Sequence, residues 1–295
     1  MGSLNRRQAL RGALHGGMAI ASGALLGGMA SAAAGQAAPA TQRKGRIRQS
    51  VSRWCYQQIP LEELCVAAAG MGLRGVDLLQ PEEYEVPGRH GLICTMGYAG
   101  GGEIGKGLNR VENHDAIEAG LRRNVPLAAK AGVPNVITFS GNRDGLLDEE
   151  GARNTIAGLK RVRSLMEDHG VTLCMELLNS KVNHKGYMCD HTAWGVRVVE
   201  EVGSPRIKLL YDIYHMQIME GDLIATIQAN HLWLGHFHTG GVPGRHELDD
   251  TQEVNWAGVM RGIAATGFTG YVAHEFVPTR DPLTSLRQAV EVCDV

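Results

Sequence analysis

Val171-Thr172-Leu173-Cys174-Met175-Glu176-Leu177-Leu178 is an apolar run of strand length with a carboxylate set inside it. A buried, unpaired charge is costly, so such a glutamate needs a partner or a cation. The same pattern recurs three times downstream. Ile207–Ile213 carries Leu210-Tyr211-Asp212-Ile213, Trp233–Thr239 carries Gly235-His236-Phe237-His238-Thr239, and Tyr271–Val277 carries Ala273-His274-Glu275-Phe276. Runs that are apolar throughout, rather than alternating, are what strands of a parallel sheet covered on both faces require.

Four earlier runs of the same kind, Ile47–Arg53, Gly75–Leu79, Gly91–Tyr98 and Asn135–Ser140, complete the set. Between them lie stretches with helical period: Leu61–Met71, Arg110–Ala131, Glu150–His169, His191–Val202, Gly221–Ala229, Trp256–Thr266 and Pro282–Cys293. Gly132, Gly170 and Gly267 stand where three of these stretches should stop. About eight β/α units over roughly 250 residues predict an α/β fold, a single (β/α)8 TIM barrel spanning 41–295. An open doubly wound sheet fits less well. Gly100-Gly101-Gly102-Glu103-Ile104-Gly105 follows the third strand and opens no helix, so it reads as a mobile loop at the barrel mouth and not as a dinucleotide site.

In a parallel barrel the C-terminal strand ends meet on one face. Singly, a strand glutamate is most often an ion-pair partner and a strand histidine a hydrogen-bonded core residue. Acids and imidazoles at the ends of four successive strands point instead to a metal site of Glu176, Asp212, His238 and Glu275. Two Glu, one Asp and one His form a hard, mostly oxygen donor set, which favours Mn²⁺, with Mg²⁺ and Co²⁺ as alternatives. His236 shares its side-chain direction with His238 and competes for that place, the Thr-Gly context favouring His238. His274 should point away from Glu275, into the helical shell. Cys174 reads as barrel filler.

The segment Tyr211-Asp212-Ile213-Tyr214-His215-Met216-Gln217-Ile218-Met219-Glu220-Gly221-Asp222-Leu223 resembles hydroxypyruvate isomerases, and so does Val242-Pro243-Gly244-Arg245-His246-Glu247 with Glu253-Val254-Asn255-Trp256. These enzymes lie within the xylose-isomerase-like barrel superfamily, beside ketose 3-epimerases and endonuclease IV. The resemblance covers 47–295. It implies metal ligation by Glu176, Asp212, His238 and Glu275, catalysis by both glutamates, and substrate contacts from His215 and Arg245. One departure stands out: hydroxypyruvate isomerases carry Gln at the strand-seven ligand, whereas His238 here is closer to the ketose 3-epimerases. The tract Asn179–Tyr187, expected to help close the pocket, matches neither group closely.

A divalent cation on a carbonyl oxygen and its neighbouring hydroxyl acidifies the C–H between them, and a carboxylate can then move the proton through an enediolate. The expected enzyme is an isomerase of a small hydroxy-carbonyl or sugar substrate. A ketose 3-epimerase or a keto-sugar isomerase or lyase shares the parts, and a periplasmic metal-dependent sugar-binding protein is the non-enzymatic alternative. An endonuclease IV-like phosphodiesterase would need further His ligands from the second and third strands, whose interiors contain none.

Among 295 residues, Lys+Arg 29 against Asp+Glu 31 gives a net charge of −2, without the basic surplus of a nucleic-acid binder. Six cysteines show no CxxC pair and read as buried free thiols. Residues 1–40 read as an address. Arg6, Arg7 and Arg11 precede a weakly apolar Ala/Gly stretch and small-residue cleavage sites. Asn5-Arg6-Arg7-Gln8-Ala9-Leu10-Arg11 resembles a twin-arginine signal, which implies periplasmic export of a folded protein, with no stable membrane insertion once the signal is removed. The expected partner is a small molecule. A homo-oligomer is compatible with the sequence but has no motif of its own.

Overall fold

The computed structural model describes residues 44–295, so the leader expected over 1–40 lies outside the described residues. Eight parallel strands close into a barrel in chain order. They are β1 (Arg48–Ser52), β2 (Gly75–Leu79), β3 (Ile93–Gly101), β4 (Asn135–Thr138), β5 (Thr172–Leu177), β6 (Ile207–Asp212), β7 (Leu234–Thr239) and β8 (Tyr271–His274). β1 pairs with β8, Val51 opposite His274, and closes the ring. The helices are α1 (Leu61–Gly70), α2 (His114–Lys130), α3 (Asp148–His169), α4 (Thr192–Val202), α5 (Ile213–Met219), α6 (Leu223–Asn230), α7 (Trp256–Ala265) and α8 (Pro282–Val292). The barrel read from the sequence is therefore the fold. Among the described residues no helix is long and apolar enough to cross a membrane.

The longer helices next to β2–β6 lie against the sheet through an apolar face. In α3, Ile156, Leu159, Val162 and Met166 are buried at three- and four-residue spacing, the stripe that a helix packed on one side requires. The helix ends at Gly170, which adopts φ 65° and donates to the Glu167 carbonyl. All six cysteines are buried and unpaired, as expected.

Three departures have local causes. The β2–β3 connection holds no α-helix, only 3-10 turns at Pro81–Glu83 and Pro87–His90, because its prolines break any longer helix. The β6–β7 connection holds two helices, since α5 starts directly on the last residue of β6. Gly100 and Gly101 are strand rather than mobile loop: Gly101 pairs with Thr138, whose hydroxyl donates to the Gly101 carbonyl at 2.6 Å.

Gly100 also lets α2 approach closely. A Cβ on Gly120 would lie 2.8 Å from the Gly100 oxygen and 3.0 Å from its Cα. In an open helix interior Gly→Ala stabilises by about 1 kcal/mol. Here the clash with backbone dominates, and Gly120→Ala is expected to destabilise by about 1–3 kcal/mol in urea unfolding.

Candidate metal centre

Strand register sets the site. Asp212 is paired with His238 across β6 and β7, so an acid and an imidazole leave the sheet at one level. Glu176 sits one residue before the end of β5. Glu275 lies one residue beyond β8, its N–H donating to the Thr239 carbonyl at 3.0 Å. One potential ligand atom from each of the four residues lies within 4.8 Å of the others. All four are buried. The four strand ends singled out in the sequence therefore converge.

Asp212 has two roles. Its Oδ1 accepts from the His215 N–H at 3.1 Å, capping α5, while Oδ2 faces the cluster. The cap fixes the carboxylate's orientation and places His215 one turn further on.

His238 supplies the imidazole. Its Nδ1 lies 2.6 Å from Glu275 Oε2 and 3.4 Å from Glu176 Oε1, yet it has no hydrogen-bond partner of acceptable geometry. Its Nε2 lies 2.9 Å from Asp77 Oδ2 on the opposite side. The competing His236 turns its own Nε2 to that same Asp77 oxygen, at 2.9 Å, and stays out of the cluster. His274 points away as expected, its ring nitrogens on Thr239 Oγ1 (3.1 Å) and Gln49 Oε1 (2.8 Å). Cys174 is fully buried, and burial raises its thiol pKa far above the usual range, which suits filler and not a nucleophile.

Three buried carboxylates perturb one another. Burial pushes the Glu176 carboxyl up to about 7, with the charges of Glu275 and Asp212 adding to burial and His238 opposing it. Burial likewise pushes Asp212 up to about 6, against the pull of Arg245. For Glu275 burial acts in the same direction, but Arg245 and His238 outweigh it and hold the carboxyl well below the ordinary range. Two glutamates of one cluster thus differ in proton affinity. That difference is the usual sign of separate acid and base roles.

Arg245 and His215 flank the cluster. Arg245 Nη2 reaches Asp212 Oδ2 at 2.7 Å and also contacts Glu275, and its Nε donates to the Glu275 carbonyl at 3.1 Å. Arg245 itself is left-handed, φ 61°, a strained conformation for a non-glycine residue that clusters at functional sites. His215 Nε2 lies 2.7 Å from Arg245 Nη1, and Asn179 Nδ2 lies 2.6 Å from its Nδ1. Asn179 is itself oriented by two backbone N–H groups, of Val182 and Asn183, that donate to its Oδ1. Burial, reinforced by Arg245, holds His215 well below its ordinary pKa.

A cavity of 520 Å³ opens onto these groups, walled by Trp54, Tyr98, Phe139, Leu178 and Val277. Asn183 and His184 of the loop after β5 line it too, as expected of the tract that should close it. Sequence reasoning missed Trp54, whose indole N–H donates to Glu275, and Asp77 behind His238. Asp77 had a signal: it is an acid inside a five-residue strand buried at every position. Trp54 had none, because its partner is 221 residues away.

The donors fit a divalent cation. Three carboxylates, one imidazole nitrogen without a hydrogen bond and mutual separations within 4.8 Å match a hard, oxygen-rich site.

A closed parallel barrel with acids and an imidazole gathered at its C-terminal strand ends defines a barrel enzyme. The chain belongs to the xylose isomerase-like TIM barrel family, whose model matches residues 89–294. A human protein named putative hydroxypyruvate isomerase is 25% identical over 238 residues, 79% of this chain and 80% of its own length. The 2-oxo-tetronate isomerase of Cupriavidus necator is 28% identical over 234 residues, 76% of this chain and 89% of its own. The crystal structure of an AP endonuclease, family 2, from Brucella melitensis matches with a TM-score of 0.74 at 24% identity, covering 81% of this chain and 97% of that one. That last likeness concerns the fold alone. The two relatives bear out both the resemblance read from the sequence and the expectation of an isomerase-type enzyme.

The loop that carries Arg245 is tied down by Glu247. Its Oε1 accepts from the Thr279 N–H and Ser285 Oγ at 2.8 Å each, and its Oε2 accepts from Thr279 Oγ1 at 2.8 Å. Burial alone would raise this carboxyl, but its hydrogen bonds outweigh burial and lower it to about 2 from an ordinary 4.5. Because the folded value lies below the unfolded one, the stabilisation is complete above pH 4.5 and is lost as pH falls towards 2. Glu247→Gln is expected to destabilise by about 1–3 kcal/mol at pH 7. Its gap to the parent in urea unfolding should narrow steadily below pH 4.5.

Proposed function

We propose that the chain is a metal-dependent isomerase of a small hydroxy-carbonyl or sugar substrate, working in the manner expected of a hydroxypyruvate isomerase-like enzyme. One observation carries the reading: Glu176, Asp212, His238 and Glu275 converge from four strands with buried donor atoms within 4.8 Å of one another. Those residues would hold the cation, with Mn²⁺ preferred and Mg²⁺ or Co²⁺ as alternatives. Bound there, a divalent ion would polarise the substrate's carbonyl and adjoining hydroxyl oxygens.

The chain's own residues account for the proton. Glu275, held anionic chiefly by Arg245, suits removal of a proton from carbon. Glu176, its carboxyl pushed up to about 7, suits return of one. His215 and Arg245 sit side by side on the cavity wall, Arg245 Nη1 donating to His215 Nε2 at 2.7 Å, where the pair can contact substrate. Trp54 donates to Glu275 and orients the base.

A second reading, epimerisation or keto-sugar chemistry on the same groups, is favoured by the cavity. Its 520 Å³ and three aromatic walls exceed what a three-carbon acid fills. Arg245 is the one Arg or Lys among the lining residues, and it already meets two carboxylates. That balance suits an uncharged sugar better than an acid. The arginine-bearing leader supports a place in the periplasm, reached already folded by the twin-arginine route.

In D₂O with Mn²⁺, the parent protein should place solvent deuterium on a carbon-bound position of hydroxypyruvate, a ketose or a keto-glycoside, read by mass spectrometry. Removing the metal with a chelator should stop the exchange. At saturating Mn²⁺, Glu275→Gln should slow exchange by roughly 10²–10⁴-fold, the usual worth of a general base. Exchange on none of the three substrate types by metal-loaded protein would reject proton transfer and leave the sugar-binding alternative. The position labelled separates isomerisation, at adjacent carbons, from epimerisation at one.

A further inference from the structure

Behind the cluster, three residues of β2 and β7 form a second buried group that the reaction above does not use. Asp77, His236 and His238 are each fully buried. Both imidazoles turn Nε2 to one oxygen, Asp77 Oδ2, at 2.9 Å each, and the Thr95 hydroxyl donates to Oδ1 at 3.2 Å. An anionic carboxylate only accepts, so each Nε2 that meets it must carry hydrogen. A neutral imidazole has one proton. With that proton on Nε2, a neutral His238 would turn a lone pair on Nδ1 to any cation that takes the place of a proton between it and Glu275, and Nδ1 is the atom that faces Glu176, Asp212 and Glu275.

The backbone is bent to make this contact. Along a regular strand successive side chains alternate between faces. In β2 the pairing with β3 shifts register on both sides of Asp77, and the next residue, Leu78, adopts φ 57°. A left-handed leucine is an outlier for a residue with a side chain, and a bulge of this kind re-aims a side chain. Its result is that Asp77 reaches the barrel-facing histidines while Leu78, immediately after it, lines the cavity.

We propose that Asp77 is a positioning residue. It selects the His238 tautomer that offers Nδ1 to a divalent cation and fixes the ring at the angle needed, with His236 and Thr95 holding the carboxylate in turn. The inference rests on the metal-dependent reading of the cluster.

Mn²⁺ titration of the full chain, by calorimetry and by the electron paramagnetic resonance of free Mn²⁺, tests it. Asp77→Asn should weaken Mn²⁺ binding by about 10–100-fold, the usual effect of removing a carboxylate behind a ligand histidine. In a His238→Ala background the same change should cost nothing further, because its route through the imidazole has gone. A merely structural role would cost the same in both backgrounds. Mg²⁺-loaded parent protein labelled with ¹⁵N-histidine gives an arm that needs no variant. Its long-range ¹H–¹⁵N spectrum should show the His238 proton on Nε2. Unchanged Mn²⁺ affinity in Asp77→Asn, an undiminished loss in the double variant, or a proton on Nδ1 would each overturn the assignment. If the parent protein bound no divalent ion, the functional reading would fail first and this inference with it.

Discussion

Confinement of negative charge dominates this protein. Three carboxylates at the barrel mouth lie out of water with their oxygens a few ångströms apart. Two unit charges 4 Å apart repel by about 4 kcal/mol at the effective dielectric of a protein. Such a group persists only if positive charge is brought to it. Arg245 does so from a loop, in a left-handed backbone conformation, and a divalent cation held by His238 from the sheet would add to it. Asp77 balances His238 from behind. Much of what is unusual around the mouth, including the strained Arg245 and Leu78 and the indole aimed at Glu275, lies in contact with this group or beside a residue that is.

The barrel makes the confinement tolerable because its strands cannot slide. Pairing of Asp212 with His238, and of Thr239 with His274 just before Glu275, fixes the height of three of the four groups. Helix α5, starting on Asp212, removes the remaining freedom of that carboxylate and delivers His215 to Arg245. The loops need separate anchors. Glu247 ties the segment bearing Arg245 to the one after β8, and Arg143, bonded to both Asp148 and Asp190, ties the loop after β4 to the one after β5.

The strands were legible because a parallel barrel buries both faces of its sheet, and the resulting unbroken apolar runs are bounded by glycine, proline and asparagine. The cluster was legible because each charged member violated its own run. What escaped had physical reasons. Helix α5 went unread because Leu210-Tyr211-Asp212-Ile213-Tyr214 passes from strand to helix with no breaker, and Asp212 caps it from inside the apolar run. Gly100 and Gly101 looked like loop because glycine disfavours strands, yet a close crossing by α2 at Gly100 and the approach of β4 at Gly101 need residues without side chains there. Asp77 carried the same signal as Glu176, but alternation along β2 could not reveal its direction, since the strand is bulged at that point.

The shared acceptor on β2 also bears on how the family can diversify. A carboxamide at position 238 would also have N–H groups to give to the acid buried on β2, but only an imidazole offers that acid a tautomer to choose. A side chain without a donor at 238 would leave that anion to His236 and Thr95 alone in the barrel interior. Positions 77 and 238 thus constrain one another through a single shared proton, although 161 residues separate them in the chain.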